Sequence, residues 1–152
     1  WNIDQVEFLD RLQWAAQSHE IGLAIAHDQF HKHSAYLVAH SDLPGFSREE
    51  QHALATIVSG QRKKVSKKEI KALPDELQKS TRYLTILLRL AMVFNRGRSE
   101  TTDTFIKLKV TKKGLRLKLP EAWLDKHPLT EADLLQEAEY LKSIDFKLKI
   151  KS

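Results

Sequence analysis

The sequence predicts an α+β chain: a helical bundle over residues 1–99, then a small ββαβ subdomain with an antiparallel sheet over residues 100–152. Three observations carry this. Apolar residues recur with a period near 3.6 as far as Asn95, and beyond it the period drops to 2. A composition of 41% hydrophobic and 30% charged residues, with five Gly and four Pro, fits a folded chain rich in helix. A length of 152 residues is enough for one well-buried domain and a small appendage.

Residues 4–18 carry Val6, Leu9, Leu12, Trp14, Ala15 and Ala16 at helical spacing, with Asp4, Glu7, Asp10 and Arg11 facing outward. The pattern allows this first helix to continue through His19 to Ile25. A second helix is expected from Ser34, whose hydroxyl can cap it, with Ala35, Leu37 and Val38 inside and Asp42, Pro44 and Gly45 ending it. Ser47-Arg48-Glu49-Glu50 has the form of a capping box and opens a third helix through Leu54, Ile57 and Val58 to Gly60. Residues 61–71 are basic and poorly periodic. Pro74 then opens a long helix with Leu77, Leu84, Leu87, Leu88, Leu90, Ala91, Val93 and Phe94, expected to be the central buried one.

The alternating runs from Phe105 to Val110 and from Leu115 to Leu119 predict a hairpin that turns at Thr111 to Gly114. Pro120 begins a short helical turn with Trp123 and Leu124. Thr130-Glu131-Ala132-Asp133 is expected to cap a helix through Leu134, Leu135, Ala138 and Leu141, and Phe146 to Ile150 alternates as a third strand. Helices followed by this order of elements place the domain boundary near residue 99.

The chain has no cysteine, which excludes disulfides, thiolate metal sites and a Cys nucleophile. No apolar run approaches the roughly 18 residues of a membrane helix. The expectation is a soluble, cytoplasmic protein, with peripheral membrane attachment left open. Because the chain opens on Trp1 and Asn2 within a helical pattern, a piece of a longer protein is expected. A formal net charge of +5 predicts an anionic partner.

The string His19-Glu20-Ile21-Gly22-Leu23, then His27, His31-Lys32-His33-Ser34-Ala35-Tyr36-Leu37 and Ser41-Asp42-Leu43-Pro44-Gly45-Phe46 closely resembles the carboxy-terminal helical domain of the exopolyphosphatase/guanosine pentaphosphate phosphohydrolase family. The similarity continues through Leu54-Ala55-Thr56-Ile57-Val58, Arg62-Lys63 and Leu87-Leu88-Arg89-Leu90-Ala91, and it is greatest to exopolyphosphatase. That domain is related to HD-type metal phosphohydrolases, so the resemblance implies an HD-like bundle. It further implies a full-length phosphoanhydride hydrolase whose catalytic residues and divalent metal, magnesium, lie on amino-terminal domains outside these residues. Implied partners are inorganic polyphosphate, those amino-terminal domains, and a second copy in a homodimer.

A live HD site needs His and Asp ligands converging from several helices. Here His19-Glu20 stands in place of His-Asp, and the later helix offers no Asp between Arg89 and Asn95, so His19 and Glu20 are weak metal candidates and no catalytic residue is expected in this chain. His27, His31 and His33 are expected on a connecting loop, solvated or donating to carbonyls, with His33 as a phosphate contact.

Three basic groups remain. Residues 61–71 hold Arg62, Lys63, Lys64, Lys67, Lys68 and Lys71 against Glu69 alone; the long helix and its exit hold Arg82, Arg89, Arg96 and Arg98; the hairpin holds Lys107, Lys109, Lys112, Lys113, Arg116 and Lys118. Arginine grips phosphate bidentately while lysine offers a looser track. Arg62, Lys63, Lys64, Arg89, Arg96 and Arg98 are therefore the polyphosphate-binding candidates, and the hairpin lysines read as a solvated face that prevents aggregation. Charge reversal at Arg62 and Lys63 is expected to weaken polyphosphate binding more than reversal at Lys147 and Lys149. Family members commonly have His at the position of Gln61, and an amide cannot carry positive charge. An independent HD-type metallohydrolase and a nucleic-acid-binding module are the alternatives. The second is disfavoured because Phe8, Trp14, Tyr36, Phe46, Phe94 and Trp123 are expected in apolar stripes, where they cannot stack on bases.

Overall fold

The computed structural model describes residues 1–3, 5–96 and 106–151. The helices are α1 Val6–Ser18, α2 Phe30–His40, α3 Arg48–Ser59, α4 Lys67–Lys71, α5 Asp75–Asn95 and α6 Pro128–Leu141; the strands are β1 Lys107–Thr111, β2 Gly114–Lys118 and β3 Lys147–Lys151. Residues divide into two compact units, Trp1–Leu88 and Arg89–Ser152, so the division falls within α5. The boundary expected near residue 99 lies outside the described residues.

In the first unit Ala15, Phe30, Val38, Ala53, Leu54, Ile57, Val58, Leu84 and Ile86 form the core. The capping box of α3 is present as the sequence predicts: Glu50 N donates to Ser47 Oγ at 3.1 Å and Ser47 N donates to Glu50 Oε2 at 2.8 Å. Three local expectations are corrected. The first helix does not continue to Ile25, because the chain breaks after Ser18 into a 3-10 turn at Ile21–Ala24. Gly22 explains the break: a Cβ there would lie 2.2 Å from the Phe30 carbonyl oxygen and 2.4 Å from Ser34 N, so the turn presses its backbone onto α2. Nor does Ser34 cap the second helix. That helix begins a turn earlier at Phe30, after Gln29 in the left-handed region, and Ser34 is buried inside it. Arg11, expected to face outward, is buried, with Nη2 3.5 Å from Glu50 Oε1. The basic stretch also contains a helix, α4, whose start is capped by Ser66 Oγ accepting from Glu69 N at 3.2 Å.

In the second unit the order ββαβ holds, but the sheet is mixed. β1 and β2 pair antiparallel, as the hairpin predicts, while β2 and β3 pair parallel. The reason is topological. A helix of 14 residues, α6, lies between β2 and β3, and a crossover of that length returns the chain in the direction in which it left. α6 starts at Pro128 rather than at Thr130, because proline in the first turn needs no amide partner. Leu115, Leu117, Leu119, Leu134, Leu141, Ile144, Phe146 and Leu148 form this unit's core.

Gly114 is required at the start of β2. A Cβ there would lie 1.9 Å from the Lys147 carbonyl oxygen, where β3 begins its parallel pairing. Gly114→Ala is expected to cost at least about 2 kcal/mol, since backbone must move to relieve the clash. Chemical denaturation would check this, with Leu129→Ala, at an exposed site, leaving stability nearly unchanged.

Glu50 yields a pH prediction. Its bond from the Ser47 amide, with the Ser47 hydroxyl and Arg11 assisting against burial, holds its carboxyl below the usual glutamate range. A lowered folded-state pKa gives stability that is fully present above the ordinary glutamate value and is lost as pH falls through the lowered one. Melting temperatures of the wild-type chain and Glu50→Gln should therefore differ at neutral pH and converge in acid.

Candidate phosphate-binding surfaces

The candidates at 62–64 sit on the turn between α3 and α4. α3 can end close against α5 because residue 60 is glycine; a Cβ there would lie 2.7 Å from Thr85 Cγ2. The chain then passes through Lys63 in the left-handed region (φ 57°), and buried Val65 anchors the far end of the turn. Arg62, Lys63 and Lys64 are exposed, and the Arg62 guanidinium lies 5.1 Å from the centre of the Phe30 ring. None of the three forms an ion pair among the described residues.

Gln61, next to them, is buried, and its Nε2 donates to the His19 carbonyl at 2.6 Å. The same carbonyl accepts from Ser34 Oγ at 2.9 Å, and Ser34 Oγ in turn accepts from Gly22 N at 2.8 Å. Gln61 thus acts as a clamp on backbone, a role its sequence context did not reveal. His31 and His33 lie on α2 and not on a connecting loop; His31 is buried edge-on to Phe30, and His33 is half-buried. His27 alone of the three stands in the connection before α2, and it is exposed. His19 Nε2 is 3.8 Å from Glu20 Oε1, and its Nδ1 is 2.6 Å from the Ala16 carbonyl. Among the described residues no group of three or more His, Asp or Glu side chains gathers as a metal would require.

The arginines of α5 are differently placed from the sequence-based expectation. Arg89 is buried to 1% exposure, with Nε 2.6 Å from Glu137 Oε2 and Nη2 3.0 Å from Glu137 Oε1. Its guanidinium also lies 5.5 Å from the centre of the Tyr140 ring. This is an internal bidentate ion pair within the second unit, and it corrects the reading of Arg89 as a phosphate grip: a group so enclosed and neutralised is not presented to a polymer. Arg96 is exposed but pairs with Asp133 at 2.6 Å. Arg98 lies outside the described residues. The aromatic expectation also changes, because Trp14 is 45% and Tyr36 60% exposed.

The sequence profile described as Ppx/GppA phosphatase, domain III, matches residues 1–138. The chain belongs to the Ppx/GppA phosphatase family. A protein of Pseudoalteromonas translucida named guanosine-5'-triphosphate,3'-diphosphate pyrophosphatase is 32% identical over 148 residues, covering 97% of this chain and 30% of that protein. A protein of the same name from Vibrio cholerae serotype O1 is 36% identical over 152 residues, covering 98% of this chain and 29% of its own length. The chain thus spans about three tenths of the length of these curated relatives. Among the described residues of this Ppx/GppA chain, no helix is long and apolar enough to cross a membrane.

Removing one member of the Arg89–Glu137 pair would leave the other charge buried alone, which costs roughly 3–5 kcal/mol. Arg89→Met and Glu137→Leu should each lower stability by that order, and the double variant should recover most of the loss. Urea unfolding of the three variants would show the non-additivity.

Proposed function

We propose that this chain is the substrate-binding, carboxy-terminal portion of a phosphoanhydride hydrolase, and that bond cleavage occurs on other domains of the longer polypeptide. The match to domain III of the Ppx/GppA phosphatases carries this reading, supported by the three-tenths coverage of the relatives. The helical unit is then an HD-like bundle in which His19 and Glu20 gather no third ligand among the described residues. The divalent magnesium ion implied by the resemblance belongs in this reading to the catalytic domains. Exposed Val6, Leu9 and Trp14 on α1, with Ile21, Leu23 and Ile25 in the following turn, supply an apolar surface for contact with those domains, and a homodimer would use surface of the same kind.

Two observations bear on the substrate. The names of the relatives favour guanosine 5'-triphosphate 3'-diphosphate, whereas the resemblance to exopolyphosphatase and the supply of unpaired cations favour inorganic polyphosphate. Both substrates end in a phosphoanhydride, so one active site can serve both. Extending the polypeptide to the length of its relatives and measuring phosphate release with magnesium would test the proposal. Release from either substrate by the extended protein, and none from the 152-residue chain alone, is the expected result; turnover by the chain alone would overturn it.

A further inference from the structure

The sheet register brings together cations that are spread over 45 positions of sequence. Along one face, Lys107, Lys118 and Lys151 stand in one row across the three strands, and Lys109, Arg116 and Lys149 stand in the next. Lys147 continues the β3 column beside Thr111 and Gly114. All seven cations are exposed, and none pairs with an acidic side chain among the described residues. The opposite face carries Leu108, Val110, Leu115, Leu117, Leu148 and Ile150, so among the paired residues charge and apolar surface are separated. The backbone positions that carry neighbouring cations are about 4.8 Å apart across the strands and about 6.8 Å apart along them.

Protection of sheet edges does not account for this pattern. Edge lysines discourage association on β1 and β3, but Arg116 and Lys118 lie on the central strand β2. A solvated face needs only polar residues. Acids opposite the lysines would attract, whereas like charges directly opposite each other destabilise the sheet. Every cross-strand pair in the two full rows is like-charged.

We propose that this sheet face binds inorganic polyphosphate, which lies across the rows and supplies the missing counter-charge. The proposal rests on the polyphosphate reading of the substrate given above. Six of the seven cations are lysines, point charges suited to following a flexible polyanion without fixing its register. Among the described residues no aromatic side chain lies among them to stack on bases, which disfavours single-stranded nucleic acid, and no apolar wedge projects from the face to enter a lipid surface. On this proposal Lys147 and Lys149 take a larger part in binding than the sequence-based expectation gives them.

The test titrates the 152-residue chain with long-chain inorganic polyphosphate over a range of salt concentrations. The middle-row triple variant K109Q/R116Q/K149Q is compared with K32Q/K68Q/K126Q, which removes equal charge elsewhere, and with R62Q/K63Q/K64Q. The row triple should lose about tenfold in affinity at low salt, and its log–log salt slope should fall by about 2, from three contacts at roughly 0.7 each. The scattered triple should change affinity by less than about threefold by the same electrostatics. Without ligand, the row triple should melt higher than wild type, because repulsion is removed, and polyphosphate should raise its melting temperature less. Equal losses in the row and scattered triples would overturn the proposal. So would loss confined to the 62–64 triple, which leaves the wider reading of a polyphosphate-binding chain intact. Absence of binding by wild type would overturn both. Equal binding of single-stranded DNA or of phosphatidylserine vesicles at matched phosphate would overturn the choice of ligand.

Discussion

The carbonyl of His19 is the point on which the first unit depends. α1 ends there, and its unsatisfied oxygen receives Ser34 Oγ from α2 and Gln61 Nε2 from the turn after α3. Three segments, 15 and 42 residues apart in sequence, are thereby tied to one atom. Ser34 also accepts from Gly22, so the hydroxyl both donates and accepts in a buried place where a lost partner would cost about 1–3 kcal/mol. The geometry admits no Cβ at Gly22, so only glycine lets the turn press its backbone onto α2 at this corner. The turn carrying Arg62, Lys63 and Lys64 follows directly from Gln61, so the position of this cationic turn is set by a hydrogen bond that involves no charge at all.

A second division concerns what the cations do. Arg89 spends its charge on Glu137 inside the second unit, and Arg96 spends its own on Asp133. Both bonds join the end of α5 to α6 and give that helix pair a fixed pairing. Among the described residues the cations of the turn at 62–64 and of the sheet face form no such ion pair. Net charge alone does not distinguish these groups; partner geometry does. A strong Arg–Glu pair in the interior orients structure, while an uncompensated surface array generates the field that gathers polyanions.

Much of this fold was legible in the sequence because its periodicities are regular. The Ser47–Glu50 box, the long α5 and the hairpin turning at residues 111–114 follow from local rules that tertiary structure did not override. What was not legible depended on contacts distant in sequence. Ser34 looks like a cap because serine commonly is one, and only the approach of Gly22 shows that it is a buried bridge. Arg89 looks like a phosphate ligand until Glu137, 48 residues later, is seen opposite it. A charged residue on the apolar stripe of each of two helices was the available signal. Parallel pairing of β3 was hidden for the same reason, since alternation fixes which face a residue takes and says nothing of strand direction.

The proposed binding at the cationic face would also be linked to folding in the second unit. Seven positive charges held in two rows and one further position repel one another in the folded sheet and much less in an unfolded chain, where their separation grows. The sheet therefore folds against its own field, and the apolar face beneath, closed by Leu134 and Leu141 of α6, must offset that cost. A bound polyanion stabilises the native state twice over, through its contacts and through removal of the repulsion. An uncharged polar face would give a more stable subdomain. On the proposed binding, a phosphate polymer would supply the part of the folding energy that this repulsion removes.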